Sequence, residues 1–359
     1  SDVLAKTVPG LGPSTEALSS FGQTLRGRDY LVLIDGIPQS TALRTSSRDL
    51  NTIDVDAIER IEVVRGGTAA YGFGAAGGLI NIITKHASKK LREGFSKGGI
   101  RFSTQHFDDS IMWETTHRIS GTRDNMDYLV SGTYGERGQF FDASGDRIAP
   151  DPIGVQGGLA DTNTFNILGK LGFNFDNDRQ RVQFTVNHFN IRQDTNYTFG
   201  LARFAKFPGF AQTEVRAEKF GSRLTINTPI TIKNYEFSAI WGLDYLRDQV
   251  VQAGLDGPTV VPFMRQDALA GFLELELPIS DYAILRGGVR QEAISVDISN
   301  VINRGGNSVS GDEVDYDNTL FNGSAVVFIT DYLELYGGYS QSFSIADIGR
   351  AIRDANAAI

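Results

Sequence analysis

The residues that could do chemistry are few, and their spacing does not indicate catalysis. The four histidines lack the close spacing of a metal site. Residues 72–77 fit the dinucleotide pattern GxGxxG, but they lead into a strand-like run and do not open a helix. No Ser, His and Asp arrangement stands out, and the chain has no Cys. The sequence therefore predicts neither an enzyme nor a metal site. The histidines are His86, His106, His117 and His188.

Charge is the more informative chemical feature of the first 86 residues. Four arginines there carry more charge than a small core can bury unless each is paired. They are Arg26, Arg28, Arg60 and Arg65. The whole chain has a net charge of −9, which argues against a nucleic-acid partner because phosphate binding needs a basic surface.

The elements that position these charges are short. Residues 31–34 form an apolar strand-like run that the turn dipeptide Asp35-Gly36 ends. Residues 53–61 have apolar side chains at helical spacing, and we predict a helix there. Further strand-like runs occupy 61–64 and 79–83. The pattern predicts a small α+β domain over residues 1–86.

From about residue 99 onward, apolar and polar side chains alternate over long stretches. Between 235 and 245 the odd positions are apolar or aromatic, whereas Glu236, Ser238 and Asp244 lie on the opposite face. Similar alternation occurs in 165–175, 269–277, 283–289 and 321–329. No apolar run reaches the roughly 18 residues of a helical membrane span. Alternation over 9–11 residues is the length of a tilted membrane β-strand.

The connections between these stretches also alternate in length, with short turns on one side and long polar loops on the other. That is typical of an outer-membrane β-barrel. A soluble β-sandwich remains the alternative, although its strands are usually shorter, at about 5–6 residues. We predict eleven strands, at 99–108, 112–121, 126–137, 165–175, 181–193, 218–228, 234–249, 265–277, 281–298, 317–329 and 331–344.

Six motifs in the first 85 residues, in this order and spacing, resemble the plug domain of TonB-dependent outer-membrane receptors. They are Val8-Pro9-Gly10-Leu11, Leu25-Arg26-Gly27-Arg28, Val32-Leu33-Ile34-Asp35-Gly36-Ile37-Pro38, Ile58-Glu59-Arg60-Ile61-Glu62-Val63-Val64-Arg65-Gly66, Tyr71-Gly72 and Ala76-Gly77-Gly78-Leu79-Ile80-Asn81-Ile82-Ile83-Thr84-Lys85. A later segment, Gly338-Tyr339-Ser340-Gln341-Ser342-Phe343, looks like a barrel motif of the same family.

The resemblance implies a membrane β-barrel of about 22 antiparallel strands around an α+β plug. We expect the plug in residues 1–86 and the N-terminal half of the barrel in 87–359, with about eleven strands. The energy-coupling box that the resemblance places before the plug is absent from this sequence.

The implied activity is import of a ferric siderophore across the bacterial outer membrane, of hydroxamate or citrate-hydroxamate type. The implied partners are this ferric complex, the TonB-ExbB-ExbD energy-coupling complex, outer-membrane lipid and a phage or colicin. No cofactor is expected, since iron enters only within the ligand. Catecholate siderophores, haem, cobalamin, or a signalling or surface-binding role remain alternatives, and the lack of a loop His pair argues against haem.

The resemblance also assigns site residues. In this family, plug loops form the floor of the ligand pocket. By motif position, the resemblance predicts that seven residues contact the ligand: Arg26, Gln39, Ser40, Thr41, Arg44, Tyr71 and Phe73. Plug arginines in this family pair with carboxylates on the inner barrel wall. That predicts pairing of Arg60 and Arg65 with the inward-facing candidates Glu236, Glu274 and Glu276.

Overall fold

A computed structural model describes most of the chain as two parts, an N-terminal domain and a large antiparallel sheet that we call the wall. The described residues are 2–13, 23–28, 30–39, 43, 55–65, 78–146, 161–175, 180–197, 211–232, 235–254, 259, 261–280, 282–302, 307–330, 332–341, 343, 345 and 348–354.

The N-terminal domain contains helix α1 (Asp2–Thr7) and a four-stranded sheet in the order β2-β1-β4-β3. Its strands are β1 (Leu31–Ile34), β2 (Ile37–Pro38), β3 (Ile58–Arg65) and β4 (Gly78–Thr84). The central pair β1 and β4 runs parallel and is buried almost throughout, as expected for apolar runs covered on both faces. The predicted strands at 31–34, 61–64 and 79–83 are therefore confirmed.

The helix predicted over 53–61 is wrong for residues 58–61. Only a single 3-10 turn, Val55–Ala57, precedes β3, which begins at Ile58. Ile61 and Val63 lie on one face of the strand and pack on the core, while the backbone pairs antiparallel with β4. The strand is favoured over the helix because its backbone hydrogen-bonds to β4. Periodicity within residues 53–61 cannot reveal that partner, which is a separate segment of the sequence.

The wall contains eleven antiparallel strands, the predicted number, in which each strand pairs with its neighbours along the chain. They are β5 (Glu93–Arg101), β6 (Met112–Arg123), β7 (Met126–Arg137), β8 (Thr162–Phe175), β9 (Gln180–Tyr197), β10 (Ala211–Ile232), β11 (Tyr235–Gly254), β12 (Val261–Ser280), β13 (Ala283–Ile298), β16 (Glu313–Thr330) and β17 (Leu333–Ser340). A small hairpin, β14 (Val301–Ile302) and β15 (Ser308–Val309), lies between β13 and β16.

The connections confirm the predicted alternation of short turns and long loops. Two-residue connections at 124–125, 233–234, 281–282 and 331–332 define one end of the wall, which we call the short-turn end. Connections at 138–161, 198–210 and 299–312 define the opposite, long-loop end. The first strand is misplaced in the prediction, since it spans Glu93–Arg101 and is followed by helix α2 (Phe107–Ser110). The two large apolar residues of this edge strand, Phe95 and Ile100, lie on opposite faces, so the strand has no apolar alternation to recognise.

The two faces of the wall differ as the alternation predicts. On one face, large apolar side chains such as Trp241, Leu243, Leu269 and Leu273 are exposed. On the other face, polar side chains are buried, among them Asn166, Lys170, Arg223, Asp244 and Arg290. No helix among the described residues is long and apolar enough to cross a membrane.

The exposed apolar face ends in a polar boundary toward the long-loop end. In β11 and β12 the outward positions change from apolar at Leu269 to charged at Asp267, which is paired with Arg247 in the neighbouring strand. Asp267 accepts hydrogen bonds from the Tyr245 hydroxyl at 2.5 Å and from Arg247 Nε at 2.7 Å. Such a boundary is expected where a strand leaves hydrocarbon.

We predict that Leu273→Arg, in the exposed apolar face, destabilises the folded protein in a bilayer by about 2–4 kcal/mol, because a guanidinium would lie in hydrocarbon. The control is Gln249→Arg, beyond the polar boundary and opposite Glu218, with little effect. Denaturant titration of the complete protein in phospholipid vesicles measures both. Equal destabilisation by the two substitutions would contradict the assignment of this face to lipid.

Candidate functional site

The N-terminal domain meets the wall through the turn that follows β1. Asp35 and Gly36 both have positive φ, 49° and 80°, which is the geometry of a tight two-residue hairpin turn between β1 and β2. The turn brings the Asp35 side chain and the next backbone carbonyls against strands β8, β10 and β11. An amide contact within the domain holds it in place, because Gly36 N donates to Asn81 Oδ1 at 3.1 Å.

The first contact is a buried ion pair. Lys170 Nζ of β8 lies 2.9 Å from Asp35 Oδ2, and the two side chains are 7% and 8% exposed. Thr84 completes the site, since its backbone N and its hydroxyl both donate to the Asp35 carboxylate, at 2.9 and 2.5 Å. Lys170 also donates to the Thr84 carbonyl at 3.1 Å. A buried charge pair is tolerated when its remaining hydrogen-bonding capacity is satisfied in this way.

The second contact places a guanidinium on a backbone carbonyl. Arg223 Nη1 of β10 donates to Gly36 O, and the same group lies 3.4 Å from Asp244 of β11. The guanidinium also stacks over the Phe272 ring, with Cζ 4.1 Å from the centroid. Glycine suits the positive φ at position 36, and a Cβ there would lie 2.8 Å from Arg223 Nη1, so the guanidinium would have to shift.

The third contact repeats this arrangement closer to the long-loop end. Lys219 Nζ of β10 donates to the backbone carbonyl of Gln39 at 2.5 Å and lies 3.9 Å from Asp248 of β11. The Gln39 side chain is 1% exposed, and its Nε2 donates to the Ile37 carbonyl at 3.2 Å. Its Oε1 is buried and has no hydrogen-bond partner in the described part of the chain.

A layer of charges within the wall supports these contacts. Arg290 of β13 is 1% exposed and donates to Asp244 Oδ2 at 2.6 Å, and it also contacts Glu292 Oε1 at 3.4 Å. Asp244 therefore lies between Arg290 and Arg223, and its position fixes the guanidinium that reaches the N-terminal domain.

A separate contact joins the 3-10 turn to the first wall strands. Lys97 Nζ of β5 pairs with the Asp56 carboxylate, and Arg118 Nη1 of β6 donates to the Asp56 carbonyl at 3.2 Å. Nearby, His86 Nδ1 lies 2.7 Å from Glu59. That hydrogen bond lowers the pKa of Glu59 below its usual value, against a smaller opposing effect of burial.

The predicted pairing of domain arginines with wall glutamates is wrong for Arg60. Arg60 pairs with its own strand neighbours, Glu62 at 2.8 Å and Glu59 at 3.6 Å. Its strand β3 lies at the edge of the domain sheet opposite β2, the strand that contacts β10 and β11. The Arg65 side chain lies outside the described residues.

The wall glutamates also have a different environment from the one predicted. Glu276 pairs with Arg286 of the adjacent strand at 2.6 Å, Glu236 is exposed, and Glu274 is partly buried. The charges at the interface are therefore reversed relative to the prediction, since the wall supplies the cations and the N-terminal domain supplies the Asp35 and Asp56 carboxylates and backbone carbonyls. The wall cations that contact the domain, among them Lys170, Lys219 and Arg223, were not singled out from the sequence. The sequence feature that could have identified them is a cationic side chain at an inward position of an alternating strand.

Of the seven predicted ligand contacts, the structure describes two. Arg26 is exposed in the tight turn between Leu25 and Arg28, with a φ of 57°. Gln39 is buried against the wall. The other five lie outside the described residues, so their role stays a prediction. They are Ser40, Thr41, Arg44, Tyr71 and Phe73.

Comparison with known families identifies both parts of the chain. Residues 1–79 match the family model described as the TonB-dependent receptor plug domain. Residues 111–357 match the model described as TonB dependent receptor-like, beta-barrel.

Similar curated proteins include two receptors that match nearly the whole chain. The rhizobactin receptor of Rhizobium meliloti (strain 1021) is 27% identical over 96% of this chain and 58% of its own length. The ferric aerobactin receptor of Klebsiella pneumoniae is 26% identical over 97% of this chain and 59% of its own length. The chain thus spans 58–59% of the length of these relatives.

Solved structures with the same fold include the copper transporter OprC, with a TM-score of 0.69 at 15% identity over 95% of this chain and 60% of that one. Another is the ferric enterobactin receptor PfeA in complex with BCV-L6, with a TM-score of 0.67 at 19% identity over 94% of this chain and 55% of that one. At these identities the likeness extends to the fold alone.

We predict that Lys170→Met destabilises docking of the N-terminal domain by about 3–5 kcal/mol, because Asp35 stays buried without its counter-charge. Arg60→Gln is the control, with an expected effect of about 0–1 kcal/mol, since its ion pair is exposed. Chemical denaturation of the detergent-solubilised complete protein measures both. The double variant Asp35→Asn, Lys170→Met should recover much of the loss, and similar effects of the two single substitutions would contradict the assigned role.

Proposed function

This chain belongs to the family of TonB-dependent outer-membrane receptors, and on that basis we propose that the whole protein binds a ferric siderophore and imports it. The family consists of receptors and transporters of the bacterial outer membrane and not of enzymes. The observation that carries the proposal is the match of nearly the full chain to relatives named for rhizobactin and ferric aerobactin.

Within the siderophores, we propose a hydroxamate or citrate-hydroxamate ligand. The ferric aerobactin receptor of Klebsiella pneumoniae matches over 97% of this chain, including the wall. A ferric enterobactin receptor of Pseudomonas aeruginosa is 38% identical but matches only 26% of the chain. Similarity that extends through wall and loops bears more on the ligand than a short match does, because the loops line the ligand side. An anionic ferric complex would also suit Arg44 and Arg48 as counter-charges.

The described interface suggests how the N-terminal domain delivers the ligand. Asp35, Gly36, Gln39 and Leu43 contact the inner face of the wall at positions progressively closer to the long-loop end, which is the exterior side in this family. Residues that follow Gln39 and Leu43 along the chain include the predicted ligand contacts Ser40, Thr41 and Arg44. Occupation of the pocket would therefore act directly on the segment that the wall cations hold. Rearrangement would draw energy from the TonB-ExbB-ExbD complex.

The test is a tryptophan-fluorescence titration of the complete solubilised receptor with ferric aerobactin, ferric enterobactin, haem and cobalamin. We expect selective quenching by ferric aerobactin and a loss of about tenfold in affinity, or about 1.4 kcal/mol, on Tyr71→Ala. The matched control is Tyr332→Ala, since Tyr332 is 99% exposed at the short-turn end.

Three other outcomes would each contradict part of the proposal. Binding of ferric enterobactin alone would exclude the hydroxamate assignment. Binding of haem or cobalamin alone would exclude a siderophore. Binding without uptake by intact cells would favour a surface-binding or signalling role, as for a phage or colicin attachment site.

A further inference from the structure

An apolar cluster lies inside the wall at its long-loop end, and it joins three other parts of the chain to the wall. Leu43 of the N-terminal domain is fully buried among side chains from the ends of β11, β12 and β13. The hairpin β14–β15 contributes Val301 and Val309, and the segment after β17 contributes Ile345 and Ile352. The wall residues of the cluster are Leu246, Val250, Val261, Met264, Ala268, Ile294 and Val296.

The segment after β17 is attached to the wall before it enters this cluster. Gln341 N donates to the Phe321 carbonyl at 3.0 Å, and Phe321 N donates back to the Gln341 side chain at 3.0 Å. Beyond this pair, helix α3 (Ile348–Asp354) packs on β12. A loop at the ligand side of the family's fold is thus folded inward, against the inner face of the wall.

Helix α3 depends on this packing for its stability. It has seven residues, whereas isolated helices in water are marginal below about 12–15 residues. Ile348 and Ile352 are four residues apart in the helix, so they share one face, and both pack in the apolar cluster together with Ile345, which precedes the helix. Gly349 lies between them on the same face and is buried.

Gly349 makes a direct hydrogen bond to the N-terminal domain. Its backbone N donates to the Leu43 carbonyl at 3.0 Å. A Cβ at this position would lie 2.4 Å from the Leu43 oxygen and 3.0 Å from Met264 Cε. The obstruction on one side is backbone, which cannot rotate away as a flexible side chain can, so any side chain at 349 must push α3 and Leu43 apart.

We propose that α3 is a clamp on the N-terminal domain, and that Gly349 is the positioning residue that allows the clamp to close on Leu43. The clamp holds the end of the segment that Lys170, Arg223 and Lys219 hold lower on the wall. The segment after β17, at the ligand side, therefore contacts the N-terminal domain directly through Gly349 and Leu43. This step rests on the proposed function: a bound ligand and the outer loops affect each other by displacing the contact between Gly349 and Leu43.

The test measures the accessibility of Leu43 in the complete receptor in outer-membrane vesicles. Leu43→Cys serves as the reporter, since this chain has no Cys of its own, and any Cys elsewhere in the complete receptor is replaced by Ser before labelling by a soluble maleimide is followed. We expect slow labelling, and at least a fivefold faster rate when Gly349→Ala is added. Ala351→Val is the matched control, since it enlarges an exposed position of the same helix and should leave the rate unchanged.

A second variant keeps the test decisive if Gly349→Ala prevents folding. Ile352→Ala removes packing from α3 without a clash, and it should also accelerate labelling, by about two- to threefold. A Tyr332→Cys reporter at the short-turn end should label at the same rate in all folded variants. An unchanged Leu43→Cys rate in both α3 variants, or equal acceleration by Ala351→Val, would overturn the clamp.

The ligand enters only in a last step, so failure of the clamp and failure of the proposed function are distinguishable. Addition of ferric aerobactin should change the Leu43→Cys rate in the parent and not in Gly349→Ala, if the clamp transmits binding. A ligand effect that is equal in both would overturn this coupling. Absence of binding by fluorescence, with the clamp rates as expected, would count against the ligand alone.

Discussion

The buried pair of Asp35 and Lys170 sets the position of the N-terminal domain inside the wall. Taking two charges out of water is unfavourable unless the remaining polar capacity is satisfied, and here Thr84 donates two further hydrogen bonds to the carboxylate. Asp35 is also the first residue of a tight turn, so its side chain and the next carbonyl are fixed relative to each other. Once Lys170 holds the carboxylate, the carbonyls of Gly36 and Gln39 fall on successive cations of β10. A displacement by one residue along the wall would leave a buried charge without its partner.

Strand β10 carries this docking pattern on one face. Lys219, Gly221 and Arg223 alternate along the inner side, so that a cation, a gap and a second cation face the segment from Gly36 to Gln39. A glycine at position 221 makes room for the domain, since a Cβ there would lie 3.0 Å from the Ile37 side chain. The two cations are oriented from the neighbouring strand, where Asp248 and Asp244 lie directly across from them in register. The same alternation that separates lipid from interior thus also encodes where the domain binds.

The sequence predicted the parts of this arrangement that depend on local pattern. Alternation gave the eleven wall strands and their inner faces, and the motifs gave the N-terminal domain. Strand β5 was misplaced because its residues lack alternation, and residues 58–61 were predicted as helix because the partner strand β4 is a separate segment of the sequence.

The sequence could not predict which side of the interface supplies the cations, for a related reason. Lys219 and Gln39 are 180 positions apart, and a carbonyl acceptor leaves no trace in residue type. The arginines drew attention as charges in need of partners, but Arg60 finds them within its own strand.

The use of carbonyls as acceptors has a consequence for release of the domain from the wall. If the segment from Asp35 to Leu43 withdraws, Arg223 keeps Asp244 as a counter-charge, and Lys219 keeps Asp248. The freed carbonyls can bond to water, so each loses only its hydrogen bond from a cation, which contributes about 1.5–3 kcal/mol. Lys170 is different, because its contacts among the described residues are Asp35 and the Thr84 carbonyl, both in the domain. Among the contacts of Asp35, Gly36 and Gln39, resistance to movement is therefore greatest at the Asp35–Lys170 ion pair.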